Sequence, residues 1–191
     1  MIVESKGFDL NGFWIPEFHL DKDEMIGICL YSGAHFFDLE KSLVDLLTKK
    51  STHKSLAVIQ KFEFVERFIE TNKLKSLFFT KTIENYLDKH VNSDSIWIEK
   101  LFEIDGVQLE TRINTLAGNY RKWLELFATF STTNNIVFDM VGQDVLGAKK
   151  TLEYVKDFVD RGGSAIMLDN FDDPHSIFDR YYKLKNKNYT K

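Results

Sequence analysis

The chain has 191 residues, of which 43% are apolar and two are proline, and its formal charge is −4. That length holds one ordinary core with a small subdomain attached, and the apolar content excludes a disordered or fibrous protein. The acidic balance, with no RNA-binding aromatic signature, argues against a nucleic-acid partner.

Ile2–Ser5 and Phe13–Leu20 read as short strands, separated by Gly7 and the Asn11-Gly12 turn signal. Pro16 marks the second as an edge strand. Met25–Leu30 is a continuous apolar strand that contains Cys29, the only cysteine, which reads as a buried structural thiol. A turn at Ser32-Gly33-Ala34 leads into a helix with Leu39, Leu43, Leu46 and Leu47 on one side. Lys49–Lys54 is a polar connection to a strand over Ser55–Gln60, built on Leu56, Val58 and Ile59.

From Phe62 to His90 the apolar spacing predicts helix, with Thr82 at a helix start, and Ser95–Phe102 continues it on Ile96, Ile98, Leu101 and Phe102. Thr115–Phe130 predicts a helix on Tyr120, Trp123, Leu124, Phe127 and Phe130. Asn135–Phe138 is a compact strand with Asp139 at its end, and a long helix from Asp144 stops at Gly162-Gly163 before a strand over Ser164–Leu168. Alternating helices and apolar strands imply a largely parallel sheet, and Lys183–Lys191 is a basic, polar tail. The N-terminus lacks a secretory layout, and no apolar run approaches the roughly 20 residues that span a bilayer. A cytoplasmic protein with no direct membrane insertion is therefore expected.

Strand, turn and helix over Glu24–Thr48 form the frame of a phosphate-binding loop. Three more segments follow in an informative order. Gln60 stands directly after a strand, Leu116-Ala117-Gly118-Asn119-Tyr120 opens a helix, and Ile136-Val137-Phe138-Asp139 precedes Gly142-Gln143-Asp144. In this order the chain resembles the ATP-binding-cassette (ABC) ATPases. The turn stands for that family's Walker A loop, Gln60 for its glutamine loop and Leu116–Tyr120 for its signature. Asp139 then stands for Walker B, Asp144 for the D-loop and Asn170 for the switch histidine. The resemblance implies an α/β P-loop NTPase fold: a mostly parallel RecA-like sheet, a short N-terminal antiparallel β region and a helical subdomain. It implies a single domain over 1–191, with the core sheet in 1–60 and 131–191, and the helical subdomain and signature helix in 61–130.

The departures from the family pattern are systematic. A phosphate loop needs converging backbone N–H groups, glycine-tolerant conformations and a lysine. In the resemblance His35 replaces a glycine, Phe36 the lysine, Phe37 the Mg²⁺-binding hydroxyl and Asp38 a second hydroxyl. The nucleotide-binding positions Gly33, Ala34, His35, Phe36, Phe37, Asp38, Gln60 and Asp139 are thus degenerate, and the two rings are expected to fill the phosphate space. Met140 stands where a glutamate would activate water, and a thioether is no general base. His175, downstream of Asn170, is a poor substitute for the switch histidine. In the signature, Ala117 has lost a hydroxyl and Asn119 replaces a glycine, while Gly118 and the helix N-terminus remain to face a partner.

His19, His35, His53, His90 and His175 lack metal-ligand spacing, Asp169, Asp172 and Asp173 read as a surface turn, and Phe8 reads as core. No catalytic residue and no metal site are expected. The resemblance implies a pseudo-ATPase subunit without a cofactor, peripheral to the inner membrane and paired with an ABC ATPase (as a hetero- or homodimer) beneath a permease. An ATP- and Mg²⁺-binding subunit with an atypical loop, and a soluble scaffold or regulatory protein on the same fold, are the alternatives.

Overall fold

The N-terminal third of the chain builds a tight hairpin and then a strand buried on both faces. In the computed structural model, which describes residues 1–30, 32–67, 81–170 and 178–186, β1 (Val3–Leu10) and β2 (Phe13–Leu20) pair antiparallel. Asn11 and Gly12 turn between them with φ of 52° and 85°, the two left-handed residues that a two-residue hairpin requires. β1 runs through Gly7 rather than stopping before it, because Lys6 and Phe8 keep one register opposite Glu17 and Ile15. β4 (Leu56–Val58) flanks β1 and β9 (Lys185–Asn186) flanks β2, which gives the order β4-β1-β2-β9. The start of the expected C-terminal tail is therefore strand; it pairs only with Phe13 and Trp14, which leaves Pro16 outside that ladder. Ile59, expected to be inward, is 57% exposed.

β3 (Met25–Cys29) is buried at every residue, as a strand inside a parallel sheet must be. With β5 (Glu63–Phe64), β6 (Asn135–Phe138), β7 (Ser164–Asp169) and β8 (Arg180–Lys183) it forms a sheet of order β5-β6-β7-β3-β8, and its pairings are all parallel. β5 corrects the helical reading from Phe62 onward. Two residues are too few to show a strand period, and the pairing of Glu63 with Ile136 decides their conformation.

α1 (Phe36–Leu47) buries Leu39, Leu43, Leu46 and Leu47. α2 (Ile83–His90) starts on Thr82, whose hydroxyl accepts the Asn85 N–H. In α3 (Ile96–Phe102), Trp97 is buried in place of Ile96, which is 45% exposed. A 3₁₀ turn over Ile113–Thr115 precedes α4 (Gly118–Thr132), and α5 (Val145–Asp160) ends before Gly162, whose φ is +96°.

The chain divides into two units. The first, 1–64 with 134–141 and 152–191, holds both sheets, α1 and a core that includes Ile15, Ile28, Leu39, Phe62 and Leu168. The second is 65–133 with 142–151. Its core includes Trp97, Phe127 and Phe130, with the Trp97 ring edge-on to Phe130 at 5.0 Å.

Candidate functional site

In an open parallel sheet, ligands bind outside the carboxyl ends of the strands. In the first unit, β3 and β6 lie on either side of β7, so the segments after Cys29, Phe138 and Asp169 converge there. A cavity of about 350 Å³ opens at this place, lined by Gly33, Phe36, Phe37, Met140, Val141, Asp169 and Asn170.

The turn from β3 to α1 shapes one wall. The Leu30 N–H donates to the Asp169 carbonyl at 2.6 Å. Gly33 has φ +129°, whereas His35 is already right-handed helical at −89°, −3° and gives α1 no side-chain cap. The Phe36 N–H donates back to the Gly33 carbonyl at 3.1 Å. The chain thus closes a turn and enters the helix directly, and one amide that a phosphate nest would use is engaged.

The two rings do not behave alike. Phe36 is 7% exposed and belongs to the hydrophobic core, whereas Phe37 is 56% exposed and meets Phe36 edge-on at 5.3 Å. The expectation that both rings fill the phosphate space is therefore corrected: they wall a cavity. Phe36 turns inward because the apolar face of α1 starts with it, three residues ahead of Leu39. Ser32, Ala34, His35 and Asp38 are exposed around the turn.

The opposite wall is tied down by carboxylates. Asp139 is fully buried, and its Oδ1 accepts the Val141 N–H at 2.8 Å. Asp169 accepts the Met140 N–H at 3.0 Å and the Asn170 N–H at 2.6 Å. Both aspartates hold the backbone that leaves the strand ends, and Met140 and Val141 turn to the cavity. Among the described residues, the lining thus offers an anion no cationic side chain and no hydroxyl.

Gln60 is not part of this gathering. Its Oε1 accepts the Asn135 Nδ2 at 3.1 Å, and Asn135 is the first residue of β6. Gln60 therefore sits at the amino end of that strand, roughly 13 Å of strand rise from Asp139. The segment that leaves β5 at its carboxyl end is Val65-Glu66-Arg67, which sequence spacing did not indicate. Phe8 is buried, and its ring is stacked on His53 at 4.2 Å. Tyr31, Asp172, Asp173 and His175 lie outside the described residues.

No family model matches the chain, and no curated protein matches it. Solved structures do. The ATP-binding subunit of an ABC transporter superposes with a TM-score of 0.68 at 13% identity, over 97% of this chain and 87% of the other. CbiO1 from Clostridium perfringens, part of the ABC transporter complex CbiONQ, gives 0.66 at 10% identity, over 97% and 85%. A bacterial ABC transporter cassette solved as a dimer gives 0.61 at 11%, over 96% and 98%. The chain has the fold of an ABC transporter ATP-binding cassette.

The second unit carries Leu116–Tyr120 and Asp144, the positions that the resemblance matches to a signature and a D-loop. Ala117 precedes α4 without a side-chain cap, and Ala117 and Gly118 are exposed while Leu116 is buried. The Asn119 amide donates to Asp144 Oδ2 at 3.0 Å, and Asp144 Oδ1 in turn accepts the Gly147 N–H at 2.7 Å at the start of α5. These bonds, Gly147 first, hold the Asp144 carboxyl below its ordinary pKa. A Cβ at Gly147 would overlap the Asn119 amide, so a larger residue here fits only if Asn119 moves away. Tyr120 packs on Trp123 at 5.1 Å, and Arg121 clamps the carbonyls of Leu116 and Asn114, each at 2.9 Å. Val145 and Leu146, next to this clasp, are 86% and 79% exposed.

A buried polar group in the same unit escaped sequence reasoning. Tyr86 donates to Glu125 at 2.5 Å, and the buried Lys122 reaches the Val65 carbonyl at 3.3 Å. Burial raises the Glu125 pKa, opposed by the Tyr86 hydrogen bond. Among the described residues, no cluster of His, Cys, Asp or Glu is arranged to hold a metal ion, and no helix is long and apolar enough to cross a membrane.

Proposed function

We propose that this chain is a non-catalytic ABC cassette, a pseudo-ATPase subunit that acts through protein contacts. One observation carries the reading: the cavity at the carboxyl ends of the parallel sheet is lined by Phe36, Phe37, Met140 and Val141, beside Gly33, Asn170 and Asp169, whose carboxylate repels an anion. A triphosphate that leaves water for phenyl and thioether surfaces gives up hydration without compensation. Phosphoryl transfer works by positioning and by charge stabilisation, and among the described residues this lining supplies neither a lysine nor a Mg²⁺-binding hydroxyl. The described residues of the lining do not fit a magnesium nucleotide. Met140, in the place of a water-activating glutamate, accepts no proton.

What the fold retains is surface. The uncapped start of α4 and the exposed Val145 and Leu146 occupy one unit, and exposed apolar groups of this kind suit a protein partner. CbiO1 works within a transporter complex, and another similar cassette was solved as a dimer. By analogy, the partner is an ABC ATPase subunit or a second copy of this chain, and the pair sits on the cytoplasmic face of a membrane permease. A second reading, nucleotide binding through an atypical loop, draws support from the cavity itself, since space persists where the loop would act.

Affinity capture of the tagged full chain from its native membranes tests the proposal. The expected result is co-purification of a subunit with an intact phosphate loop, or of a second copy of the chain, together with a multi-span protein. Val145→Asp is expected to weaken the pairing. Recovery of the chain as a free monomer would contradict the reading.

A further inference from the structure

A second cavity, of about 280 Å³, lies in the first unit at the carboxyl end of α1, roughly 18 Å of helix from the turn at Gly33. Its floor is Leu46, Leu56 and Val58, and its rim is Lys49, Ser51, Thr52 and His53. The rim belongs to the run Lys49-Lys50-Ser51-Thr52-His53-Lys54, which has three lysines and no carboxylate, in a chain whose net charge is −4.

The donors are set in place. His53 Nδ1 accepts the Ser55 N–H at 3.2 Å, so the ring proton resides on Nε2, and stacking on Phe8 fixes the ring plane. Lys49 donates one ammonium proton to the Ile59 carbonyl at 3.0 Å and keeps two for a ligand. A helix C-terminus ordinarily repels an anion, but the last carbonyls of α1 are engaged. Val44 accepts from the Thr48 N–H, Asp45 from Ser51, Leu46 from Lys49 and Leu47 from Phe62.

We propose that this cavity binds a phosphate-type oxyanion, either inorganic phosphate or a phosphate monoester. Lys49, the hydroxyls of Ser51 and Thr52, and His53 Nε2 hold the oxygens, and the apolar floor accommodates the carbon body of a monoester. The same headgroup chemistry occurs on soluble metabolites and on phosphatidic acid.

Titration of the ¹⁵N-labelled full chain with inorganic phosphate is the test. Saturable shifts confined to the segment from Lys49 to Leu56 are expected. Lys49→Met and His53→Phe, the latter keeping the stack on Phe8, are each expected to weaken binding about tenfold, as loss of a charge-assisted hydrogen bond does. Ser51→Ala and Thr52→Val, at exposed positions, provide a check that does not depend on the stack. Absence of saturable binding, variants that bind like the parent, or shifts at Gly33–Asp38 instead would each overturn the proposal. Glycerol 3-phosphate and phosphatidylcholine vesicles containing phosphatidic acid then separate the sources. Binding of the first alone assigns a soluble monoester, sedimentation with the vesicles assigns a lipid headgroup, and failure of both after saturable phosphate binding assigns inorganic phosphate.

Discussion

Phe36 and Phe37 are neighbours in sequence and opposites in energy. Phe36 is 7% exposed in the core of the first unit, whereas Phe37 is 56% exposed. Truncation of a buried phenylalanine to alanine removes its transfer free energy and leaves a hole, so Phe36→Ala is expected to cost about 3–5 kcal/mol. For a chain of this length that corresponds to a fall in Tm of roughly 6–20 °C. Phe37→Ala removes an exposed ring together with its edge-on contact to Phe36, and is expected to cost about 1 kcal/mol or less. Phe36→Lys, which restores the lysine of an active phosphate loop, is expected to destabilise like the alanine variant and to confer no turnover. Urea unfolding of the first unit, read as a midpoint change at constant slope, compares the three. Equal and small effects of Phe36→Ala and Phe37→Ala would refute the inward placement of Phe36, and with it the apolar wall.

Two further expectations concern the second unit. Glu125 has its pKa raised by burial, so its contribution to stability is complete below the unfolded carboxyl pKa and is lost as pH rises through the folded value. Tyr86→Phe removes the donor that favours the carboxylate; the expected penalty is about 1.5–3 kcal/mol at neutral pH and smaller in acid, and Glu125→Gln is expected to flatten the difference. A penalty that is the same at both pH values would contradict this assignment. Gly147→Ala is expected to force Asn119 off Asp144 and to speed amide exchange at Gly147, with Asn119→Gly restoring protection; unchanged exchange in the single variant would sink the clasp.

Where local chemistry is strong, the sequence announces the structure. Asn11-Gly12 dictates the hairpin, Thr82 the start of α2, and the spacing of Leu39, Leu43, Leu46 and Leu47 the buried face of α1. β6 ends as expected, with Asp139 at its carboxyl end. The failures arise where tertiary pairing overrides local pattern. β5 is two residues long and exists through β6. Gln60 follows a strand, as a glutamine loop would, yet β4 belongs to the antiparallel sheet, so Gln60 reaches the wrong end of β6. Phe36 replaces a ligand-facing lysine in the resemblance, but a ring at the head of an apolar helical face seeks the core. The buried Lys122 and Glu125 carry no sequence signature, because their partners, Val65 and Tyr86, are distant in the chain.

The inert wall is tested most directly by assaying the purified full chain with magnesium and ATP, with turnover and thermal shift read on the same sample. Turnover at background and an unfolding temperature unmoved by nucleotide are the predicted results. A magnesium-dependent rate that disappears in Asp139→Ala would contradict the account.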